Sequence, residues 1–183
     1  YYAAARDFAR RLSILSDELD RETGEKFYIC TGGGPGIMEA ANRGALDGGN
    51  STIGLNIELP FEQHPNPYIT DSLNFDFHYF FMRKLWFLYY AKAIVVFPGG
   101  YGTMDELFET LTLVQTKKLE KRNLPILLYD KDFWFDLINF PKMVEYGLIE
   151  QEDVDMIHFF SDPDDGVEYL RPRLKEIMGS IKS

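Results

Sequence analysis

Residues 97–110 read F-P-G-G-Y-G-T-M-D-E-L-F-E-T, and the apolar run Ala93-Ile94-Val95-Val96-Phe97 leads into them. The run is short, bounded and β-prone, as a buried strand should be, and the residues after the glycines have helical spacing. Strand, glycine-rich turn, helix: this order gathers backbone N–H groups that lack intrahelical partners at the positive end of a helix dipole. Such a place holds an anion, most often a phosphate. Within the same turn stands a carboxylate, Glu106, which a phosphate cradle does not need.

Working outward, the same order recurs upstream. A β-prone run over 26–31 flows into Gly32-Gly33-Gly34-Pro35-Gly36, and 37–46 read as helix. Pro35 suits the first helical position, where its missing N–H costs nothing. Gly48-Gly49-Asn50 closes that unit; 51–59 form a third strand candidate, followed by a Pro/Asn-rich loop over 60–68 and another strand over 73–77. Residues 3–22, with Tyr2 just before them, carry an apolar pattern of Tyr2, Ala5, Phe8, Ala9, Leu12, Leu15 and Leu19 at helical spacing, which stops at Gly24. Downstream, helices are expected over 78–92, from the second glycine turn to about 118, over 133–146 and over 166–178. Strands over 93–97, 125–129 and 156–160 separate them. The 78–92 helix is apolar around almost its whole circumference, which predicts burial on several sides.

Strands alternating with helices predict an α/β, Rossmann-like three-layer fold, with a central parallel sheet and helices on both faces, as one domain over 1–183. Parallel α/β folds usually start with a strand, whereas this sequence enters a helix at once, so a first strand is expected upstream of Tyr1.

Composition narrows the function classes. A net charge of −10 and a pI near 4.8, with no basic stripe, argue against a nucleic-acid surface. No apolar run reaches the length of a membrane span. A single cysteine, Cys30, excludes an internal disulfide framework and suits a reducing, cytoplasmic setting; its strand position predicts a buried structural thiol.

Neither glycine loop is a dinucleotide fingerprint. Counting G-x-G-x-x-G from Gly32, Gly34 or Gly100 puts Ile37, Glu39 or Asp105 where the last glycine belongs, and no Gly-Lys-Ser/Thr occurs. Each loop taken alone could be a tight turn requiring positive φ. Two of them at the carboxyl ends of parallel strands mark a ligand site. His64, His78 and His158 have neither zinc spacing nor a nucleophile elbow near them, so metal and triad chemistry are disfavoured.

Two charged residues stand out. Thr103-Met104-Asp105-Glu106 fits the capping box S/T-x-x-E, in which the Glu reaches back to the cap's N–H; on spacing alone that reading of Glu106 is the better one. Arg83, with Lys84, interrupts the aromatic 78–92 helix. A guanidinium there either pairs with a carboxylate at the core edge or clamps a phosphate or ribose.

Three segments, G-G-G-P-G-I-M-E-A-A-N-R-G-A (32–45), M-R-K (82–84) and P-G-G-Y-G-T-M-D-E (98–106), together resemble the LOG ("Lonely guy") family of cytokinin-activating phosphoribohydrolases, often mislabelled lysine decarboxylases. The 56–68 stretch is similar to its bacterial-type branch. The resemblance implies hydrolysis of the N-glycosidic bond of a nucleoside 5′-monophosphate, AMP or N6-prenylated AMP, without a cofactor or metal. It implies Arg83 and Glu106 as the catalytic pair and Gly99, Gly100, Gly102 and Thr103 as the phosphate holders. Gly33, Gly34, Met82, Lys84 and Tyr101 would lie near the nucleotide. It further implies a homodimer or larger homo-oligomer through the 78–92 helix. A non-catalytic carrier of a nucleotide or of molybdenum cofactor on the same fold is the alternative, and has no need of the Arg83/Glu106 pair. A decarboxylase would want a lysine Schiff base to pyridoxal phosphate, and neither glycine loop contains a lysine.

Overall fold

Helix α1 (Tyr2–Thr23) buries Ala5, Phe8, Ala9, Leu12, Leu15 and Leu19 along one stripe, as the spacing predicts, while Tyr2, expected on the same stripe, is only half-buried and donates its hydroxyl to Glu39 Oε1. It stops at Gly24, whose left-handed backbone lets its N–H return to Asp20 O. The computed structural model describes residues 1–58, 64–118 and 124–179. They fall into two compact units, Tyr1–Tyr90 with Asp162–Ser183, and Ala91–Ser161.

In the first unit α1 is followed by β1 (Ile29–Thr31), α2 (Ile37–Asp47), β2 (Thr52–Ile57), a 3-10 turn, β3 (Asn74–Phe77) and α3 (Phe80–Tyr90). The sheet order is β1-β2-β3, both ladders parallel, with Ile29 opposite Thr52 and Gly54 opposite Asn74. Helix α2 packs so closely on α1 that a Cβ on Gly44 would stand 2.1 Å from Arg6 O. The second unit holds β4 (Ile94–Val96), α4 (Tyr101–Gln115), β5 (Ile126–Tyr129), α5 (Lys131–Leu137), α6 (Phe140–Glu145), α7 (Gln151–Asp155) and β6 (Ile157–Phe160). Its parallel sheet has the order β4-β5-β6 around a core of Val96, Leu107, Ile126, Leu128, Trp134, Phe140 and Ile157. The closing helix α8 (Pro163–Gly179) returns to the first unit and lies on α1. The expected class holds: parallel strands joined through helices, an α/β Rossmann-like fold with helices on both faces.

Four local expectations are corrected. The single helix over 133–146 is two, because Asn139 breaks off α5 and caps α6 by accepting from Lys142 N at 3.0 Å, with Pro141 in the first turn. The short α7, closed by a capping box of Glu150 and Asp153, was not expected at all. Helix α3 is not enclosed: it touches β2 and β3 and buries Leu88, while Phe81, Tyr89 and Tyr90 are each more than 60% exposed. Cys30 lies on the exposed side of its strand, because successive strand residues face opposite ways and its neighbour Thr31 takes the buried side, although the surrounding protein desolvates the thiol and pushes its pKa up to about 12. Residues 59–63, the start of the expected 60–68 loop and part of the 56–68 stretch, lie outside the described residues.

Candidate active site

The first glycine turn leaves the carboxyl end of β1 and enters α2 at Gly36, the helix cap. Pro35 therefore precedes the cap instead of opening the helix, a shift of two residues from the expectation. Gly33 has φ +75°, and an ideal Cβ on it would lie 2.0 Å from Asn56 Oδ1, so no larger residue fits. Buried polar side chains grip this turn from behind. Thr31 Oγ1 accepts from Gly33 N (3.0 Å) and donates to Asn42 Oδ1 (2.6 Å). Asn66 Nδ2 lies within donating distance of Gly33 O (3.1 Å), Gly34 O (3.1 Å) and Asn42 Oδ1 (2.9 Å). Asn42 Nδ2 donates onward to Thr52 Oγ1 and Ile53 O. Gly33 thus has its amide and carbonyl committed inside the protein, and Gly33 and Gly34 are both buried.

Helix α3 follows β3 and carries Arg83 to the same turn. A methyl group on Gly32 would lie 3.7 Å from Arg83 Nη1 and 2.9 Å from Met38 Sδ. The guanidinium carbon is 5.3 Å from the Phe80 ring centre and 5.7 Å from that of Phe87, and Nε is shut off from solvent. Aromatic faces on the same helix lie against the cation. The open apolar face of α3 and the half-buried Arg83 are two sides of one element. Met82 is exposed and Lys84 half-buried.

The second glycine turn follows β4. Helix α4 is capped by Gly100, its first helical bond running from Met104 N to Gly100 O at 3.0 Å. Thr103 is therefore the third helical residue, not the cap, and no side chain caps this helix. That overturns the capping-box reading: Glu106 lies in the second turn, beyond the position from which a Glu returns to its cap. Thr103 folds back over Gly99, whereas a Cβ on Gly100 or Gly102 would meet nothing within 4 Å. Tyr101 is 96% exposed. This helix opening therefore presents bare backbone, with a hydroxyl beside it and a half-buried carboxylate one turn on.

The structure brings Arg83 to the Gly32–Gly34 turn within the first unit, and Thr103 to Gly99 within the second. Sequence reading missed Thr31, Asn42, Asn56 and Asn66. The signal for Asn42 was present: a polar residue among Ala40, Gly44 and Ala45 on the buried face of an amphipathic helix must find buried partners.

A protein-family model described as "Possible lysine decarboxylase" matches residues 38–170. A "Probable cytokinin riboside 5′-monophosphate phosphoribohydrolase" of Arabidopsis thaliana is 29% identical over 153 residues, 81% of this chain and 69% of that protein. A "Cytokinin riboside 5′-monophosphate phosphoribohydrolase", also of Arabidopsis thaliana, is 30% identical over 156 residues, 81% of this chain and 64% of its own length. The chain thus spans about two thirds of these relatives. Among solved structures, the molybdenum cofactor carrier protein of Chlamydomonas reinhardtii is similar with a TM-score of 0.57 at 17% identity, over 94% of this chain and 87% of that one. That likeness is one of fold.

Proposed function

The chain belongs to the LOG family, whose model carries the decarboxylase description, and on that premise we propose that it hydrolyses the N-glycosidic bond of a nucleoside 5′-monophosphate. The substrate is AMP or an N6-modified AMP, and the products are free base and ribose 5-phosphate. A water oxygen bonds to C1′, the C1′–N bond breaks with its electron pair going to the base, and the base takes up a proton.

The observation that supports this most is the register of α4. Because the helix starts at Tyr101, Glu106 has no capping duty, and its carboxylate stands one turn past a glycine opening suited to phosphate. Cleavage builds positive charge on the ribose, and a carboxylate stabilises it or orients the attacking water. In this reading Gly99, Gly100, Gly102 and Thr103 hold the 5′-phosphate, whose binding energy positions a sugar that reacts some distance away. Arg83 is the cationic member of the catalytic pair, Met82, Lys84 and Tyr101 lie along the nucleotide, and the buried Gly33 and Gly34 shape the turn beside Arg83. The exposed aromatic face of α3 is where a second copy would pack in a homo-oligomer.

Chromatographic assay of free base from a panel of nucleotides tests the reading. Release from AMP or an N6-substituted AMP, none from the nucleoside lacking phosphate, and loss of release in Glu106→Gln are the expected results. Tight binding of a nucleotide or cofactor with no base released would show a carrier instead.

A further inference from the structure

The turn beside Arg83 is fixed by a chain of buried amides and hydroxyls reaching from Asn66, in the loop between β2 and β3, to β2 in the middle of the first unit's sheet. Asn66 lies in a loop, yet is only 6% exposed, and its hydrogen-bonding atoms are engaged: backbone N to Gly33 O (2.8 Å), Nδ2 toward Gly33 O, Gly34 O and Asn42 Oδ1, and Oδ1 from Tyr68 N (3.1 Å). Asn42, with no exposed surface, uses both N–H groups and accepts two bonds on Oδ1. Thr31 Oγ1 joins Asn42 to Gly33 N. The polar side-chain atoms of all three members are engaged within the protein, and a satisfied buried network rigidifies whatever it holds. What it holds is the backbone at 33–34. Arg83 Nη1 lies beside the adjoining Gly32, 3.7 Å from where a Cβ on that residue would stand.

We propose that Thr31, Asn42 and Asn66 are positioning residues for the reaction: they fix the Gly32–Gly34 turn and, through it, the setting of the Arg83 guanidinium. This inference rests on the glycosidase reading in which Arg83 is catalytic. None of the three side chains needs to touch substrate. Displacement of a catalytic group by about 1 Å costs on the order of a hundredfold in rate, so loosening the turn should fall on kcat more than on KM.

The test compares isosteric pairs in the whole chain. Thr31→Val keeps the shape but removes the hydroxyl that Gly33 N and Asn42 need, while Thr31→Ser keeps the hydroxyl. Asn66→Asp replaces the two N–H groups with a carboxylate facing two carbonyls. Two readouts are taken on protein shown to be folded by circular dichroism: kcat and KM for base release from AMP, and the Arg83 Nε–Hε resonance in a 1H–15N spectrum, identified by its loss in Arg83→Lys. Expected are a kcat fall of roughly tenfold or more and a shifted Arg83 resonance in Thr31→Val and Asn66→Asp, with Thr31→Ser unchanged in both. A resonance that stays in place with kcat within about twofold of wild type in both variants overturns the proposal. Should wild-type protein release no base from any nucleotide, the glycosidase reading falls, and the Arg83 resonance alone decides whether the network sets that side chain. If Thr31→Val does not fold, Asn66→Asp and Asn42→Asp give the same comparison.

Discussion

Thr103 Oγ1 occupies the space that a side chain at Gly99 would need: an ideal Cβ there would lie 2.2 Å from that oxygen. The hydroxyl is thus laid along the glycine turn by close packing, while Gly100 and Gly102 leave their sides open. Alanine at the two neighbouring positions should therefore act differently. Gly99→Ala pushes Thr103 off the turn, and overpacking of this kind costs about 1–3 kcal/mol. Gly100→Ala enters open space on an extended backbone (φ −93°, ψ −152°), so its stability should stay within about 1 kcal/mol of wild type. Its methyl group would nonetheless crowd an anion lying on the turn. The expected result is a lowered melting temperature for the first variant, and a raised KM for AMP with an almost unchanged melting temperature for the second. An unchanged KM in Gly100→Ala would place the phosphate elsewhere.

Glu106→Gln separates chemistry from structure at the other end of that turn. Since α4 is capped at Gly100, the substitution removes no cap and should cost less than the about 1 kcal/mol of a lost cap. The rate of base release should fall by about a hundredfold or more, as when a single electrostatic contact to a charged transition state is lost. A variant that loses about 1 kcal/mol of stability, as a missing cap would cause, and keeps its activity would return Glu106 to a structural role.

These two cases show what the sequence could and could not carry. The strand–glycine–helix order was legible because strand and helix periods are local properties of the chain. The start of α4 was not. Thr103 to Glu106 spells a capping box, but Gly100 already supplies an extended cap residue, so the helix begins before the threonine is reached. At α3 the pattern was read correctly as apolar all round, yet exposure depends on what lies opposite, which a pattern does not contain. Arg83 was singled out for standing in an aromatic helix, but its neighbour Gly32 is 51 positions away in sequence and only the pairing of β1, β2 and β3 brings them together. The Asn42–Asn66 link was invisible for the same reason.

Gly33→Ala tests the first turn by stability rather than rate. At φ +75° an alanine is strained, and its methyl would meet Oδ1 of Asn56, a residue whose Nδ2 donates to Asn74 Oδ1. Strain of about 1–3 kcal/mol adds to the displacement of that pair. Chemical denaturation should show a loss in this range or above, and a variant as stable as wild type would mean that the turn adapts.

The exposed face of α3 gives a prediction about assembly. Trp86 and Tyr90 stack with ring centres 5.2 Å apart, and Phe81, Leu85 and Tyr89 extend the patch. If a second copy covers this face, Trp86→Glu with Tyr90→Glu should convert an oligomer into a monomer, read by light scattering coupled to size exclusion. Wild-type protein that is already monomeric at micromolar concentration would sink the idea.

Around α1 the charge pattern predicts an acid-dependent term. Arg10 and Arg11 hydrogen-bond Asp7 and hold its carboxyl below the usual range, Lys26 does the same to Asp17, and Arg6 to Asp47. A carboxyl whose folded value is depressed adds stability that is present above its unfolded value near about 4, and that is lost as pH falls through the folded value. Asp7→Asn should then melt slightly below wild type at pH 7, by less than about 1 kcal/mol because the pair is more than a third exposed. The gap should close as pH drops below about 4, and narrow at high salt, which screens exposed charges. A gap that persists unchanged into strong acid and high salt would mean that Asp7 acts through packing or its acceptor geometry, and that its charge contributes nothing to holding α1.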